Sequence, residues 1–161
     1  MKISVQLGFE ILGYPGTGRR VEDEGDLAET SGVELFHGAF MGDGILVLHG
    51  TDLSPRFGWV TLIDWCIKIA AVRSALAVES RYVVNFSESE DWLQFERQAG
   101  EVHVSCSYSA ELAHATHEDF DAEIGRFLSG QLKWIEREYP QVMKNPAMAD
   151  IRARIACGDG S

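Results

Sequence analysis

The sequence predicts an α+β fold. We expect an antiparallel sheet of about six strands in two runs, in the order βββ-α-βββ-α-α, with the helices packed on one face of the sheet. Three patterns support this: apolar and polar residues alternate over residues 3–11, a long apolar stretch covers residues 57–78, and further short alternating segments follow it. Runs of strands separated by a helix are typical of α+β proteins.

The first run of strands lies in the N-terminal third of the chain. Apolar residues occupy every second position of residues 3–11, which predicts a half-buried strand. Residues 33–40 and 45–49 form two further apolar segments and are predicted as strands. The Asp43–Gly44 pair between them suits a tight hairpin turn, because such turns need positive φ angles.

The apolar stretch at residues 57–78 predicts a central helix. Ser54 can cap it, and Pro55 suits the first helical position, where a missing N–H costs nothing. Because the stretch is apolar around most of its circumference, we expect it to be covered on more than one side. Its charged residues favour a buried helix over a membrane span, since each is costly in hydrocarbon: Asp64, Lys68 and Arg73.

The second run of strands is predicted as a three-stranded meander at residues 81–86, 92–96 and 101–108. The links between these segments are short, so neighbouring strands must be antiparallel. No linker divides the chain, and we predict a single domain over residues 1–161.

Two helices close the predicted fold. Thr116 can cap the first of them, whose apolar residues recur at helical spacing until Pro140 ends it. A short tail helix is predicted at residues 147–156.

The charge of the chain narrows the class of partner. Its 161 residues include 14 basic and 25 acidic residues, for a formal net charge of -11. Such a surface repels phosphate backbones and anionic membranes, so we predict neither a nucleic-acid partner nor a membrane partner. A basic protein partner is favoured. Residues 22–34 hold six acids and no base, which predicts a solvated loop.

Two motifs resemble ligand sites without matching them. Residues 13–20 contain three glycines and end in Arg19–Arg20, but the phosphate-loop spacing is absent, and we interpret the segment as a turn. His114, His117 and Glu118 lack the order of a zinc-protease motif and are interpreted as an exposed loop leading into a helix. We predict no metal site and no cofactor.

The cysteines predict neither disulfides nor catalysis. Cys66, Cys106 and Cys157 are widely spaced and odd in number, so a reducing cytoplasm is the simplest setting. Cys106 and His103 lie three positions apart on one predicted strand, so their side chains point to opposite faces and cannot form a catalytic pair. Cys106 is therefore predicted as a core residue.

The acids and tryptophans are the remaining candidates for function. Glu88, Glu90 and Asp91 crowd one turn, where solvated charge is a better interpretation than a glycosidase acid pair. Trp59 and Trp65 lie on the predicted central helix and are expected in the core. Exposed indoles among acids are typical of protein-binding hot spots, and Trp92 and Trp134 are the candidates for that role.

Five short segments together form a sequence pattern that is also found in other proteins: LIDW at 62–65, YVVNF at 82–86, WLQF at 92–95, VHV at 102–104 and WIEREYP at 134–140. This combination resembles small acidic bacterial domains found among the immunity proteins of polymorphic toxin systems. The resemblance covers about half of the chain. It implies a non-enzymatic cytoplasmic protein that blocks a toxin domain by tight binding, and it carries over no functional residues.

We therefore predict a protein-binding domain of the immunity type with a basic toxin domain as partner. Its partner-binding residues are predicted in two acidic segments: Glu22, Asp23, Glu24, Glu88, Glu90, Asp91 and Trp92. The alternatives are a homo-oligomer and a small hydrolase-like enzyme, metal-dependent or not, that uses the region of His103, Cys106, His114 and His117. The sequence leaves the oligomeric state open.

Overall fold

The described strands form two four-stranded antiparallel sheets rather than one sheet of six. The computed structural model describes residues 4–12 and 20–157, without the side chains of residues 24 and 157. The α+β class and the antiparallel pairing are confirmed, and the single sheet is wrong.

The first sheet is organised around its longest strand. Strand β2 (Met41–Leu48) pairs along its length with β1 (Val5–Ile11). Two short strands, β3 (Thr51–Asp52) and β4 (Val60–Thr61), pair with opposite ends of β2. The strand predicted at the N-terminus is therefore confirmed within the described residues.

The hairpin predicted at residues 41–44 is wrong, because these residues lie inside β2. A Cβ atom at Gly42 would come 1.9 Å from the carbonyl oxygen of Glu10, and one at Gly44 would come 2.8 Å from the Pro55 ring. These glycines therefore allow close approach of neighbouring groups instead of forming a turn.

Two short helices replace the loop and strand predicted between β1 and β2. Helix α1 covers Val21–Glu24 and helix α2 covers Gly32–His37. The Ser31 hydroxyl caps α2 by accepting a 3.1 Å hydrogen bond from the Glu34 N–H. Leu27 is buried within residues 22–34, so the acidic segment contributes to the core instead of forming only a solvated loop.

The second sheet is a meander of four strands in chain order: β5 (Arg81–Asn85), β6 (Trp92–Gln98), β7 (Glu101–Cys106) and β8 (Ser109–Thr116). The first three were predicted. The fourth was missed because Leu112 is its only large apolar residue, and that residue is exposed.

Helix α3 (Leu62–Val78) begins later than predicted. Thr61 is its N-cap residue, whereas Ser54 and Pro55 lie in an irregular segment before it. The expectation that this helix is covered on more than one side is confirmed, because it contacts both sheets and the other long helices.

Helix α4 (His117–Glu138) has the predicted boundaries. Thr116 Oγ1 accepts a 3.1 Å hydrogen bond from the Asp119 N–H, and Pro140 opens a 3-10 helix (Pro140–Lys144) after α4 ends. Near the edge of β1, Glu123 accepts a 2.8 Å hydrogen bond from the Leu7 N–H. Polar groups of an edge strand are thereby satisfied by a helix.

Helix α5 (Ala147–Cys157) packs against α3 and completes the fold. One apolar cluster includes residues of both sheets, α2, α3, α4 and α5. Among the described residues, no helix combines the length and apolar character needed to cross a membrane.

Candidate partner-binding site

The acidic turn between β5 and β6 divides into two kinds of carboxylate. Asp91 is partly buried, and its two oxygens each accept a 2.9 Å hydrogen bond, one from the Ser89 hydroxyl and one from the Ser107 hydroxyl. Glu88 and Glu90 are exposed and form no ion pair within the described part of the chain. Asp91 therefore stabilises the conformation of the turn, while the negative charges of Glu88 and Glu90 are available to a partner.

Trp92 opens strand β6 directly after this turn. Its backbone N–H donates a 2.9 Å hydrogen bond to the Ser107 hydroxyl, which ties it to the end of β7. Leu93 and Phe95 are buried, so the alternation along β6 places the partly exposed Trp92 on the outer face of the sheet. The predicted indole is thus neither a core residue nor fully exposed.

A cavity of about 400 Å³ lies beside the acidic turn. Glu88 lines it from the turn, Asp64 from the first turn of α3, and Trp59 from the segment before β4. The other lining residues come from α2 and the neighbouring strands and loops: His37, Met41, Val60, Thr61, Phe86 and Ser87. The cavity therefore combines an indole with carboxylates.

An aromatic cluster supports the Trp59 side of the cavity. Phe57 and Trp59 stack with ring centroids 5.0 Å apart, and Phe57 meets Phe86 edge-on at 5.2 Å. Tyr108 packs edge-on against Phe57 at 5.1 Å and donates a 2.7 Å hydrogen bond to the Leu53 carbonyl. Burial raises the pKa of Tyr108, so its hydroxyl remains a donor at neutral pH.

Sequence reasoning missed this cavity because it assigned Trp59 to the central helix and hence to the core. The structure corrects this: Trp59 precedes α3 and is partly exposed, while Trp65 is fully buried as predicted. Gly58 is the residue that could have indicated this break. Its φ of 79° is a value that glycine adopts readily, and such a value interrupts a helix.

The first predicted acidic segment is placed differently from the second. Glu22 is buried, and its Oε2 accepts a 2.9 Å hydrogen bond from the Phe40 N–H. Asp23 is exposed and accepts a 3.0 Å hydrogen bond from the Tyr139 hydroxyl. Glu24 lies in α1, but its side chain is outside the described residues. No described hydrogen bond or shared cavity joins these acids to Glu88 and Glu90.

The histidines of the alternative prediction converge only in part. His103 and His114 face each other across β7 and β8 with ring centroids 5.8 Å apart. Glu101 reaches both rings, with its oxygens 3.5 Å from His103 Nε2 and 3.8 Å from His114 Nδ1. Within residues 4–12 and 20–157, no three His, Cys, Asp or Glu residues are arranged to hold a metal ion.

The described cysteines belong to the core. Cys106 is buried whereas His103 is exposed, which confirms that they point to opposite faces of the strand. Desolvation raises the pKa of both Cys66 and Cys106. Both thiols are therefore protonated at neutral pH, which makes them poor nucleophiles.

The glycine-rich segment predicted as a turn lies outside the described residues, except for Arg20. Trp134 is partly buried against Phe40 and Tyr139, with ring centroids 6.2 and 5.7 Å away.

Comparisons with protein-family models, curated proteins and solved structures found no match to this chain.

Proposed function

We propose that this chain is a non-enzymatic protein-binding domain of the immunity type. It acts in the cytoplasm, where it neutralises a basic toxin domain by direct contact. The observation that carries the proposal is the cavity between Trp59 and Glu88, whose aromatic wall lies beside the unpaired carboxylate of Glu88.

The site suits a basic protein partner for two reasons. An indole beside a carboxylate favours a lysine or arginine side chain through cation–π attraction and ion pairing. The net charge of -11 also extends attraction beyond the contact itself and raises the rate of encounter with a basic surface. Glu22 is not assigned to this interface, because its carboxylate is buried.

The experiment begins with capture of partners from the native host. The test variant is Glu88→Gln with Glu90→Gln, which removes two exposed charges and keeps side-chain shape. The matched control is Glu111→Gln with Glu136→Gln, because both residues are exposed and form no ion pair in the described part of the chain.

We expect wild type and control to retain one basic protein that the test variant loses. That protein should be toxic when expressed alone and harmless when co-expressed with this chain. Equal retention by all three forms would remove the acidic turn from the interface. A retained protein without toxicity would contradict the immunity role.

The second candidate function is a hydrolase-like activity, and the pairing of His103 with His114 beside Glu101 favours it. The buried Cys106 on the opposite face does not contribute to that group. Metal analysis and a broad hydrolase screen of wild type and His103→Gln test this candidate. Activity that is lost in the variant would support it.

A further inference from the structure

A second cavity, of about 260 Å³, is lined by more basic than acidic side chains, although the chain as a whole is strongly acidic. It lies between α3, β5 and α5, and two basic side chains line it, Lys68 and Arg154. Lys68 forms an ion pair with Asp64, so the acid that lines the cavity is already neutralised. The Arg154 charge is left without compensation.

Arg154 has no acceptor that satisfies it. Its guanidinium stacks over Phe36, with the central carbon 5.4 Å from the ring centroid, and it forms no ion pair with any described carboxylate. Its Nε atom is buried and has no hydrogen-bond partner among the described residues. Buried donors are nearly always paired in folded proteins, and a charged one is costly when unpaired.

Other polar groups of this cavity also lack acceptors. Tyr82 and Asn85 are among its lining residues, and neither side chain forms a hydrogen bond within the described part of the chain. Desolvation raises the pKa of Tyr82, so its hydroxyl is a donor at neutral pH. The cavity is thus lined by a guanidinium and a phenol residue whose side-chain hydrogen bonds are open.

We propose that this cavity binds the anionic group of a small organic molecule, either a carboxylate or a phosphate ester, with Arg154 as the principal contact. A guanidinium binds both anions through two parallel hydrogen bonds. Tyr82 adds a donor, and Phe36, Ile67 and Val84 provide an apolar wall for the remainder of the ligand. The cavity lies just below the usual size range of ligand pockets, so the ligand is small.

The test is an NMR titration of the full chain with two probes, inorganic phosphate and benzoate, at millimolar concentrations. The main variant is Arg154→Met, which keeps an apolar side chain over Phe36. The matched control is Arg152→Met, on the same helix, because Arg152 is exposed and forms no ion pair in the described residues. Tyr82→Phe removes a single hydroxyl and leaves the ring in place.

We expect shifts in the amides of Lys68, Tyr82 and Arg154 with at least one probe. Arg154→Met should weaken binding by about tenfold or more, and Arg152→Met should leave it unchanged. Binding of phosphate alone would assign phosphate esters, and binding of benzoate alone would assign carboxylates.

Two results would overturn the assignment: no shift with either probe, or equal binding by wild type and Arg154→Met. If Arg154→Met fails to fold, Tyr82→Phe decides the question. It should bind a few-fold more weakly, and unchanged affinity in that variant would reject the site.

Discussion

The backbone N–H of Gly58 donates a 2.8 Å hydrogen bond to Oδ1 of Asp43. This bond joins the irregular segment before β4 to strand β2. Because Trp59 follows Gly58 directly, the same bond positions the indole that lines the candidate site.

Replacing Asp43 with Ala should therefore loosen this segment. A hydrogen bond to a charged acceptor contributes about 1.5–3 kcal/mol, so we expect the melting temperature to fall by roughly 5 °C. Tryptophan fluorescence should shift to longer wavelength as Trp59 gains solvent. Asp43→Asn keeps an acceptor oxygen and should retain most of the stability. Equal losses in the two variants would show that the hydrogen bond is not the cause.

The three acids of the turn should differ in their effect on stability. Asp91→Ala leaves the Ser89 and Ser107 hydroxyls without their acceptor, and it should lower the free energy of unfolding by about 1–3 kcal/mol. Glu88→Gln with Glu90→Gln should change it by less than about 0.5 kcal/mol. Urea unfolding of both forms checks this. A large loss in the double variant would mean that these glutamates support the fold.

Substitutions of Trp65 and Trp92 should distinguish a core tryptophan from a tryptophan at the surface. Trp65 is fully buried and donates a 3.1 Å hydrogen bond to the Gly8 carbonyl, so Trp65→Ala should cost about 3–5 kcal/mol. Trp92 is partly exposed, and Trp92→Ala should cost less than half as much. Thermal melts compare the two variants. Similar losses would place Trp92 in the core and remove it as a binding residue.

The ion pair between Arg73 and Asp121 should make stability depend on pH. Hydrogen bonds from Arg73 hold the pKa of Asp121 below its ordinary value of 3.8. A lowered folded-state pKa stabilises the fold above the unfolded-state value, and this contribution is lost as the pH falls through the folded-state pKa. Both side chains are about 40% exposed, so screening limits the effect to about 0.2–1 kcal/mol.

Asp121→Asn should therefore destabilise the protein at pH 7 and have a smaller effect at pH 2, because the contribution is lost as the carboxyl becomes protonated. Urea unfolding of wild type and variant at both pH values measures the difference. A loss that is equal at both pH values would show that the Asp121 charge is not responsible.

Local sequence patterns predicted the helices and strands whose residues follow a simple periodicity or capping rule. Alternation predicted β1, β5, β6 and β7, and Thr116 with Pro140 predicted both ends of α4. Prediction failed where distant groups decide the structure. The Asp43–Gly44 pair is typical of a turn when only the neighbouring residues in the sequence are considered. Gly44 nevertheless lies inside β2, because Pro55 and Trp65 pack against it.

The candidate site was predicted only in part for the same reason. The exposed charge of Glu88 and Glu90 follows from the composition of a turn. The cavity beside them depends on two segments that meet only in the fold, one carrying Trp59 and Asp64 and the other carrying Glu88. No spacing in the sequence predicts that these segments come together. The unpaired state of Arg154 could not be predicted either, because it depends on neighbours that are distant in the sequence.

Whether the acidic turn is the binding site is tested by the association rate of the purified partner with this chain, measured over a range of salt concentrations. Glu88→Gln with Glu90→Gln should associate more slowly than wild type and with a weaker dependence on salt, because rim charges act mainly on encounter. Glu111→Gln with Glu136→Gln should show a smaller change, although it removes the same charge. If both double variants slow association equally, net charge alone explains the effect, and the acidic turn is not the binding site.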